Sequence, residues 1–493
     1  MDKLKTQVAV VGAGPGGYAA AFKAADLGLD VTLIDAEKNP GGTCLYRGCI
    51  PSKALLHVAK LVRDAREAEH WGIKFSEPEI ALDRIRQTTE DVVLKLTSGL
   101  GQLSKARKIN YVQGRASFTG SNTLEVFEED DIFTVEAEYT ILAAGSRPAL
   151  FGPLIDSPRV MNSSTALQLA DLPKNMLVIG AGYIGLELGS VYAALGTQVT
   201  VVEMTPSALP GADPDLVKPL QQRLNKDMHE MFFNTKVAEM KPVKNGVQVT
   251  LEGEGIEKPT RTFDKVLVCV GRKPNSSGLG LQNTNVEVDD KGFVTVDAQM
   301  RTSDPAIFAI GDIVGNPMLA HKASAEGRVA AEVIAGIKAA FEPQAIPAVV
   351  FTDPEIAWCG IMESDAKREG RKVTVHRFPW AASGRAMTLN RTDGLTKLIC
   401  DAETDQVLGM GIVGEGAGEL IAEGVLAIEM GALASDLDMT IHPHPTLSET
   451  VMESAASVYG MSTHIFRPKK GGKVQTESGE EVETAKTEKT AKG

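Results

Sequence analysis

The feature that most constrains this chain is a repeat. Gln7 to Val11 is a short apolar run leading into Gly12-Ala-Gly14-Pro-Gly-Gly17, an alanine-rich helical stretch to Gly28, and a second apolar run, Val31 to Ile34, ending in Asp35. The succession returns as Met176 to Ile179, Gly180-Ala-Gly182-Tyr-Ile-Gly185, a helical stretch to Gly196, and Val199 to Val202 ending in Glu203. The copies align without a gap, so that Leu27-Gly28 falls on Leu195-Gly196 and Val31-Thr32 on Val199-Thr200. Each reads as a βαβ dinucleotide fingerprint, in which glycines tighten the turn, the helix N-terminus faces a pyrophosphate and the terminal acid accepts from a ribose. One such turn would be weak evidence; two complete copies predict two bound dinucleotides within an α/β fold. Duplicate glycine-rich folds without ligands are the alternative.

Two of the five cysteines, Cys44 and Cys49, follow the first unit in Gly41-Gly-Thr-Cys-Leu-Tyr-Arg-Gly-Cys-Ile-Pro-Ser-Lys53. In an ideal helix residues at this spacing have Cα atoms roughly 8 to 9 Å apart, beyond the ~7 Å limit for an unstrained disulfide, so bridging needs a distorted turn. Gly48 supplies backbone freedom, and Pro51 with apolar Ala54 to Val62 predicts a helix whose N-terminus favours thiolate at Cys49. Spacing alone leaves open a redox pair, half of a metal site with no near partner beyond His57, or two buried thiols.

At 493 residues the chain has room for about three domains. A net charge of −13 argues against a nucleic-acid surface or an anionic membrane as target. The first strand begins almost at Met1, no signal-peptide pattern precedes it, and no charge-free run reaches ~18 residues, so a cytoplasmic protein is expected. In a reducing compartment a disulfide is usually transient or catalytic, which favours the redox reading of Cys44 and Cys49. Because these cysteines follow Asp35 closely, their electron partner is the first site's ligand. A flavin there, fed by a nicotinamide at the second site, gives a two-electron relay. Glu203 would repel a 2′-phosphate and Met204-Thr205-Pro206 offers no arginine, so NAD is expected over NADP. Glu187, on the second apolar helix, is either functional or a plain exposed glutamate.

Between the units, Trp71 to Gly101 reads as helix and Tyr111 to Thr140 as strands and turns. Ile141-Leu-Ala-Ala-Gly145-Ser-Arg-Pro148 then returns to the first sheet. Beyond the second unit, Gly246 to Glu252 and Thr262 to Val270 read as strands, and Gly271-Arg-Lys-Pro274 echoes Gly145-Ser-Arg-Pro148. Ile307 to Ile310 delivers Gly311-Asp312 to a strand end ahead of His321 and a helix through Ile334. Asp312 can hold a flavin's ribityl chain or serve as a helix cap. From Pro347 the pattern becomes α+β: strands Ala348 to Phe351, Ile356 to Cys359, Lys372 to Phe378, Leu395 to Cys400 and Val407 to Val413, plus helix Gly418 to Met430. It closes on Ile441-His-Pro-His444-Pro-Thr-Leu-Ser-Glu449, where Thr446-x-x-Glu449 also fits a capping box for a helix to Val458. The expected organisation is an FAD-binding part over 1–148, an NAD-binding domain over 149–270, a second FAD-binding part over 271–346, a dimerisation domain over 347–466, and a disordered charged tail over 467–493.

With these residues assembled, the chain resembles the disulfide-reductase flavoproteins, the class I pyridine nucleotide-disulfide oxidoreductases, and within them the dihydrolipoamide dehydrogenases, over residues 5 to 466. The segment from Gly41 to Lys53 looks like the family's redox motif, Gly311-Asp312 like its second flavin motif, and His442 to Glu449 like its base motif. The resemblance implies two Rossmann-like domains plus an α+β dimerisation domain. It implies FAD held by Gly12, Gly14, Gly17, Asp35, Lys53, Gly145 and Asp312, and NAD held by Gly180, Gly182, Gly185, Glu203 and Gly271, with no metal. It further implies that Cys44 exchanges with substrate, Cys49 makes the charge-transfer contact with flavin, and Lys53 pairs with Glu187. His444, oriented by Glu449, would be the acid/base and would arrive from the other subunit of a homodimer. The activity implied is oxidation of protein-bound dihydrolipoyl groups by NAD, in partnership with lipoyl domains of 2-oxoacid dehydrogenase complexes, with the glycine cleavage system a further setting. Another disulfide reductase, acting on glutathione or mercuric ion, is the rival. His442 ahead of His444 and the absence of any cysteine after Cys400 favour the lipoyl reading. Tyr46-Arg47 stands where the family has Asn-Val, and Tyr183 where it often has an aliphatic residue.

Overall fold

The computed structural model describes residues 3–128, 131–149, 155–466, 474–475 and 481–482. Its first sheet sets Asn110–Gln113, Val31–Asp35, Lys3–Val11 and Asp131–Leu142 side by side in parallel, with Val10 in register with both Leu33 and Ile141. The antiparallel strands Arg115–Gly120 and Thr123–Glu128 extend it, and Ile307–Ala309 joins parallel beside Thr140 to Leu142. These strands are almost wholly apolar because both faces are covered: helices pack on one, and Phe118, Leu124, Val126, Leu281 and Val294 pack on the other. On one face the Pro15–Asp26 helix packs on Ala320–Ile334, and the seam is possible because both sides are small: a Cβ at Gly327 would stand 2.6 Å from the Gly16 carbonyl oxygen.

The second repeat builds its own parallel sheet, Glu230–Phe232, Gln198–Val202, Asn175–Ile179, Lys265–Val268 and Val160–Met161, covered on one side by the antiparallel strands Lys236–Val243, Gly246–Glu252 and Thr260–Phe263. The echo between Gly145-Ser-Arg-Pro148 and Gly271-Arg-Lys-Pro274 is a physical pairing: Ser146–Pro148 and Arg272–Pro274 form a two-stranded antiparallel ribbon. A third sheet is antiparallel throughout, in the order Ala348–Val350, Glu355–Gly360, Val407–Gly414, Leu395–Asp401, Val373–Pro379. It is fastened to the second by fully buried Lys397, whose Nζ lies 2.6 Å from both Asp213 and Asp215, while Asp213 also accepts the amides of Glu363 and Ser364.

Two local expectations need correction. The helix expected from Trp71 begins at Leu82 and runs to Ala106, because Gly72 at φ +79° and Pro78 interrupt the pattern. The strand expected over Thr262 to Val270 is two strands, broken at Asp264, whose carboxylate accepts the amides of Lys174 and Asn175. The tail expectation lies outside the described residues except for Val474–Gln475 and Glu481–Val482, which pair antiparallel. Among the described residues no helix is long and apolar enough to cross a membrane.

Candidate active site

The two glycine turns have the same internal wiring. Gly12 and Gly180 take φ of +99° and +103° and donate to Ile34 and Val202; a Cβ on either would stand 2.3 Å from a carbonyl oxygen, of Ala143 or Cys269. Neither following helix has a side-chain cap, so its first amides remain available to an anion. The acids close both turns identically. Asp35 accepts from Ala13 N–H (2.6 Å) and Glu37 N–H (2.9 Å), and Glu203 from Ala181 N–H and Thr205 N–H, both at 2.8 Å. Each carboxylate oxygen keeps a lone pair for a ribose hydroxyl. Burial pushes the Asp35 carboxyl above its ordinary range, against the opposing Ala13 amide and Arg47.

What differs is what lies over the turns. Gly42, at φ +56°, is pressed so closely on the first turn that a Cβ there would meet Gly14 Cα at 2.4 Å, and Gly41 N–H donates to Ala13 O. On the aligned turn glycines, a Cβ at Gly14 would meet Gly42 Cα at 3.9 Å, whereas one at Gly182 would meet nothing within 4 Å. The first turn therefore carries the redox motif as a roof.

That motif is two helices, Gly42–Arg47 and Cys49–Glu67, broken at Gly48, where a Cβ would come within 2.8 Å of Thr43 O and 3.2 Å of Cys44 Cα. The break folds Cys44 back to Cys49, which a continuous helix could not do. The structure holds both as free thiols on the wall of one cavity. Their mutual interaction raises the Cys44 thiol and lowers that of Cys49, with Lys53 also lowering Cys49 against burial. Cys49 opens a 19-residue helix, whose N-terminus adds to the same preference. His57 is exposed farther along this helix.

Lys53, one turn beyond Cys49, lies 2.9 Å from Glu187 Oε2, and its Nζ sits 4.3 Å above the Phe351 ring, while Phe351 N–H donates to Glu187 Oε1 at 3.0 Å. Glu187 is 3% exposed, so it is a buried ion-pair partner and not a plain surface glutamate. Asp312 accepts from Ser146 Oγ, which in turn accepts from Arg272 Nε at 2.7 Å.

These groups share one cavity of about 790 Å³. Gly12, Gly14, Gly17, Asp35, Cys44, Cys49, Lys53, Gly145, Asp312 and Glu187 all line it. Gly180, Gly182, Gly185, Glu203 and Gly271 do not, although Tyr183 and Ile184 of the second unit reach its wall. His444 and Glu449 are also outside its lining. They form their own pair, Nδ1 to Oε1 at 2.8 Å, and Glu449 Oε2 accepts from Thr446 N–H at 2.8 Å. Glu449 thus caps the loop and orients the imidazole at once. His442 is anchored separately, Nε2 to Glu423 at 2.8 Å and Nδ1 to Thr440 O at 2.9 Å.

Several contributors carry no motif. Phe351 lies on the third sheet's first connection, and Ser146 and Arg272 are legible only as members of the repeated tetrapeptide. Arg47 pairs with Glu37 and Tyr46 Oη donates to Asn39 O, which gives the unusual Tyr46-Arg47 dipeptide a place beside the acid end of the first unit. Burial pushes the Tyr183 phenol up to about 12.

Residues 6–327 match the model of the family described as pyridine nucleotide-disulphide oxidoreductase, and residues 346–455 match that of its dimerisation domain. The chain is 48% identical to a dihydrolipoyl dehydrogenase of Haemophilus influenzae over 475 residues, covering 96% of this chain and 99% of that protein. It is 45% identical to one of Geobacillus stearothermophilus over 463 residues, 94% and 98% of the two chains. Among solved structures it is similar to LpdA of Mycobacterium tuberculosis, with a TM-score of 0.85 at 27% identity over 92% of this chain and 99% of that one. It is also similar to the HOCl-induced flavoprotein disulfide reductase RclA of Escherichia coli, with a TM-score of 0.81 at 26% identity over 92% and 100% of the two chains. A twice-built dinucleotide turn, a cysteine pair roofing the first, and these matches along the chain lead to one conclusion: the chain belongs to the pyridine nucleotide-disulphide oxidoreductase family.

Proposed function

We propose that this protein is an NAD-dependent dihydrolipoyl dehydrogenase, oxidising protein-bound dihydrolipoyl groups to the cyclic disulfide. The observation that carries the reading is the single cavity in which the first glycine turn, Cys44, Cys49 and the Lys53–Glu187 pair meet the opening of the second unit's helix. The residues fit FAD there: the uncapped helix start beyond Gly14 suits a pyrophosphate, Asp35 a ribose, and Asp312 a ribityl hydroxyl. Glu203 with Gly180, Gly182, Gly185 and Gly271 suits NAD. FAD held there would supply a two-electron carrier between the cysteine pair and NAD+.

The chain's own residues account for the thiol chemistry. With Cys44 and Cys49 as the disulfide, His444 Nε2 accepts a proton from one substrate thiol, and Glu449 holds Nδ1 protonated so that Nε2 is the basic nitrogen. The substrate thiolate attacks Cys44 Sγ, and Cys49 departs as a thiolate favoured by its helix N-terminus and Lys53. The second substrate thiol then displaces Cys44 and gives up its proton to that sulfur, which leaves as a thiol, closing the substrate disulfide. Of the two protons lost, one rests on His444 and one on Cys44, while the two electrons leave Cys49 a thiolate and Cys44 a thiol.

His444 stands outside the cavity of its own chain, and the chain carries the family's dimerisation domain. This supports a homodimer in which the partner subunit's His444 serves each cysteine pair. The physiological donor in this reading is a lipoyl domain of a 2-oxoacid dehydrogenase complex, and the compartment is the cytoplasm, where a working dithiol is kept reduced. The deciding experiment compares dihydrolipoamide with NAD in the forward direction against NADH or NADPH with lipoamide, oxidised glutathione and mercuric ion. Lipoamide should be the fastest disulfide substrate; faster glutathione reduction would overturn the assignment.

A further inference from the structure

One short stretch of the third domain grips the Cys49–Glu67 helix at two points. Residues 351 to 353 lie in the link between the strands Ala348–Val350 and Glu355–Gly360. Near the start of the helix, the centroid of the Phe351 ring lies 4.3 Å from Lys53 Nζ, while the Phe351 N–H donates to Glu187 Oε1 at 3.0 Å. One residue thus holds both members of the Lys53–Glu187 pair. Ten positions later, about 15 Å along the helix, Arg63 Nε lies 3.1 Å from Asp353 Oδ2, and Asp353 also pairs with Arg391. Between the two points, Leu55, Leu56, Ala59 and Val62 share an apolar core with Val350 and Ile356.

The two grips differ in what they do to charge. Arg63 and Asp353 neutralise each other in a largely buried setting, which fastens the helix. An aromatic face attracts an ammonium yet carries no net charge, so Phe351 restrains Lys53 Nζ without cancelling it. The restraint matters because lysine ends a flexible four-carbon stem, and a carboxylate alone can be met from several rotamers. Lys53 stands four positions after Cys49, so the two side chains share one helix face, and both line the large cavity. The titratable groups facing Cys49 are Cys44 from the preceding short helix, Lys53 from its own helix, Glu187 and Tyr183 from the second unit's helix, and Tyr18 from the first unit's helix. Lys53 is the one cation among them.

We infer that Phe351 is a positioning residue for the Cys49 thiolate: its ring keeps the Lys53 ammonium on the helix turn that Cys49 opens, so that the dimerisation domain completes the redox motif. The inference rests on the reading of Cys49 as the flavin-side thiolate and of Lys53 as its cation.

The test uses the flavin-loaded dimer carrying Cys44→Ser, in which Cys49 is the only thiol of the pair, and follows the long-wavelength charge-transfer absorbance as pH is lowered. Its midpoint reports protonation of Cys49. Phe351→Leu should move the midpoint upward by roughly half a pH unit. The same change made on top of Lys53→Met should move it no further, because the ring acts through the ammonium. Phe351→Met keeps the site apolar without a ring face and should give the same pair of results; it decides if the leucine variant does not fold. An unmoved midpoint, or an equal shift with and without Lys53, makes the ring ordinary packing and overturns the inference. A midpoint that Lys53→Met itself leaves in place would instead sink the reading of Lys53 as the thiolate's cation, whatever Phe351→Leu does.

Discussion

Lys53 Nζ and Glu187 Oε2 are 2.9 Å apart although 134 positions separate them in the chain. Lys53 stands one turn beyond the thiolate cysteine, and Glu187 one turn into the helix that follows the second glycine turn. The contact therefore ties the redox motif to the second dinucleotide unit, and Phe351 from the third sheet completes it from above.

Replacing Lys53 by Met should raise the Cys49 thiol, since Lys53 favours its thiolate. Alkylation of the reduced protein by iodoacetamide at neutral pH should slow and recover at higher pH. Glu187 would keep only the Phe351 amide, so stability should fall by about 1–3 kcal/mol. An unchanged thiolate titration would remove Lys53 from this role.

In the proposed function Cys49 is the thiolate beside the flavin, and its thiol is the lowered one of the pair. Reduced by two electrons, Cys44→Ser should keep a long-wavelength charge-transfer absorbance and Cys49→Ser should lack it. The same band in Cys49→Ser as in the unaltered protein would mean that the donor is misassigned.

NAD should be preferred over NADP, by about 1–3 kcal/mol in transition-state terms, because Glu203 both loses a ribose partner and faces a phosphate. Glu203→Ala should narrow the preference while weakening NAD, because Ala181 and Thr205 amides lose their acceptor. Equal kcat/KM for the two nucleotides in the unaltered protein is the contrary result.

His444→Gln should reduce dithiol oxidation by roughly a hundred- to ten-thousand-fold while NADH still reduces a dye at the normal rate. Stopped-flow measurement of the two half-reactions separates these effects. Survival of both would place the base elsewhere.

Lys397 is fully buried between Asp213 and Asp215. Burial opposes ionisation of both carboxyls, yet Lys397 and their other donors hold them below the ordinary range. A depressed carboxyl adds stability that is present above the unfolded value near pH 4 and is lost as pH falls through the folded one. Acid unfolding should therefore begin below about pH 4. Lys397→Met should cost about 3–5 kcal/mol at neutral pH, because it removes the buried cation the two carboxylates share and leaves Asp213 with the Glu363 and Ser364 amides and Asp215 with Arg377. A melting temperature within a degree or so of the unaltered protein's would contradict this.

The sequence by itself determined what local chemistry can specify. Period and glycine placement fixed both βαβ turns, because only glycine tolerates the φ and the carbonyl contact at Gly12 and Gly180. The same logic marked the cysteine motif, the strand delivering Asp312 and the loop joining His444 to Glu449. Local signals misjudged the onset of the Leu82–Ala106 helix and the break at Asp264, where a distant pair of amides stops a strand. The Lys53–Glu187 pair was expected only through the family resemblance; the tertiary structure decided that Glu187 is buried, which first-unit groups share a cavity, and that the Gly-x-Arg-Pro and Gly-Arg-x-Pro segments pair with one another. It alone placed Phe351 over Lys53 and Asp353 against Arg63. The reason is physical: a buried charge is worth having only where another part of the chain supplies its partner, and nothing in the residues next to Glu187, Lys397 or Asp353 announces what will be folded against them.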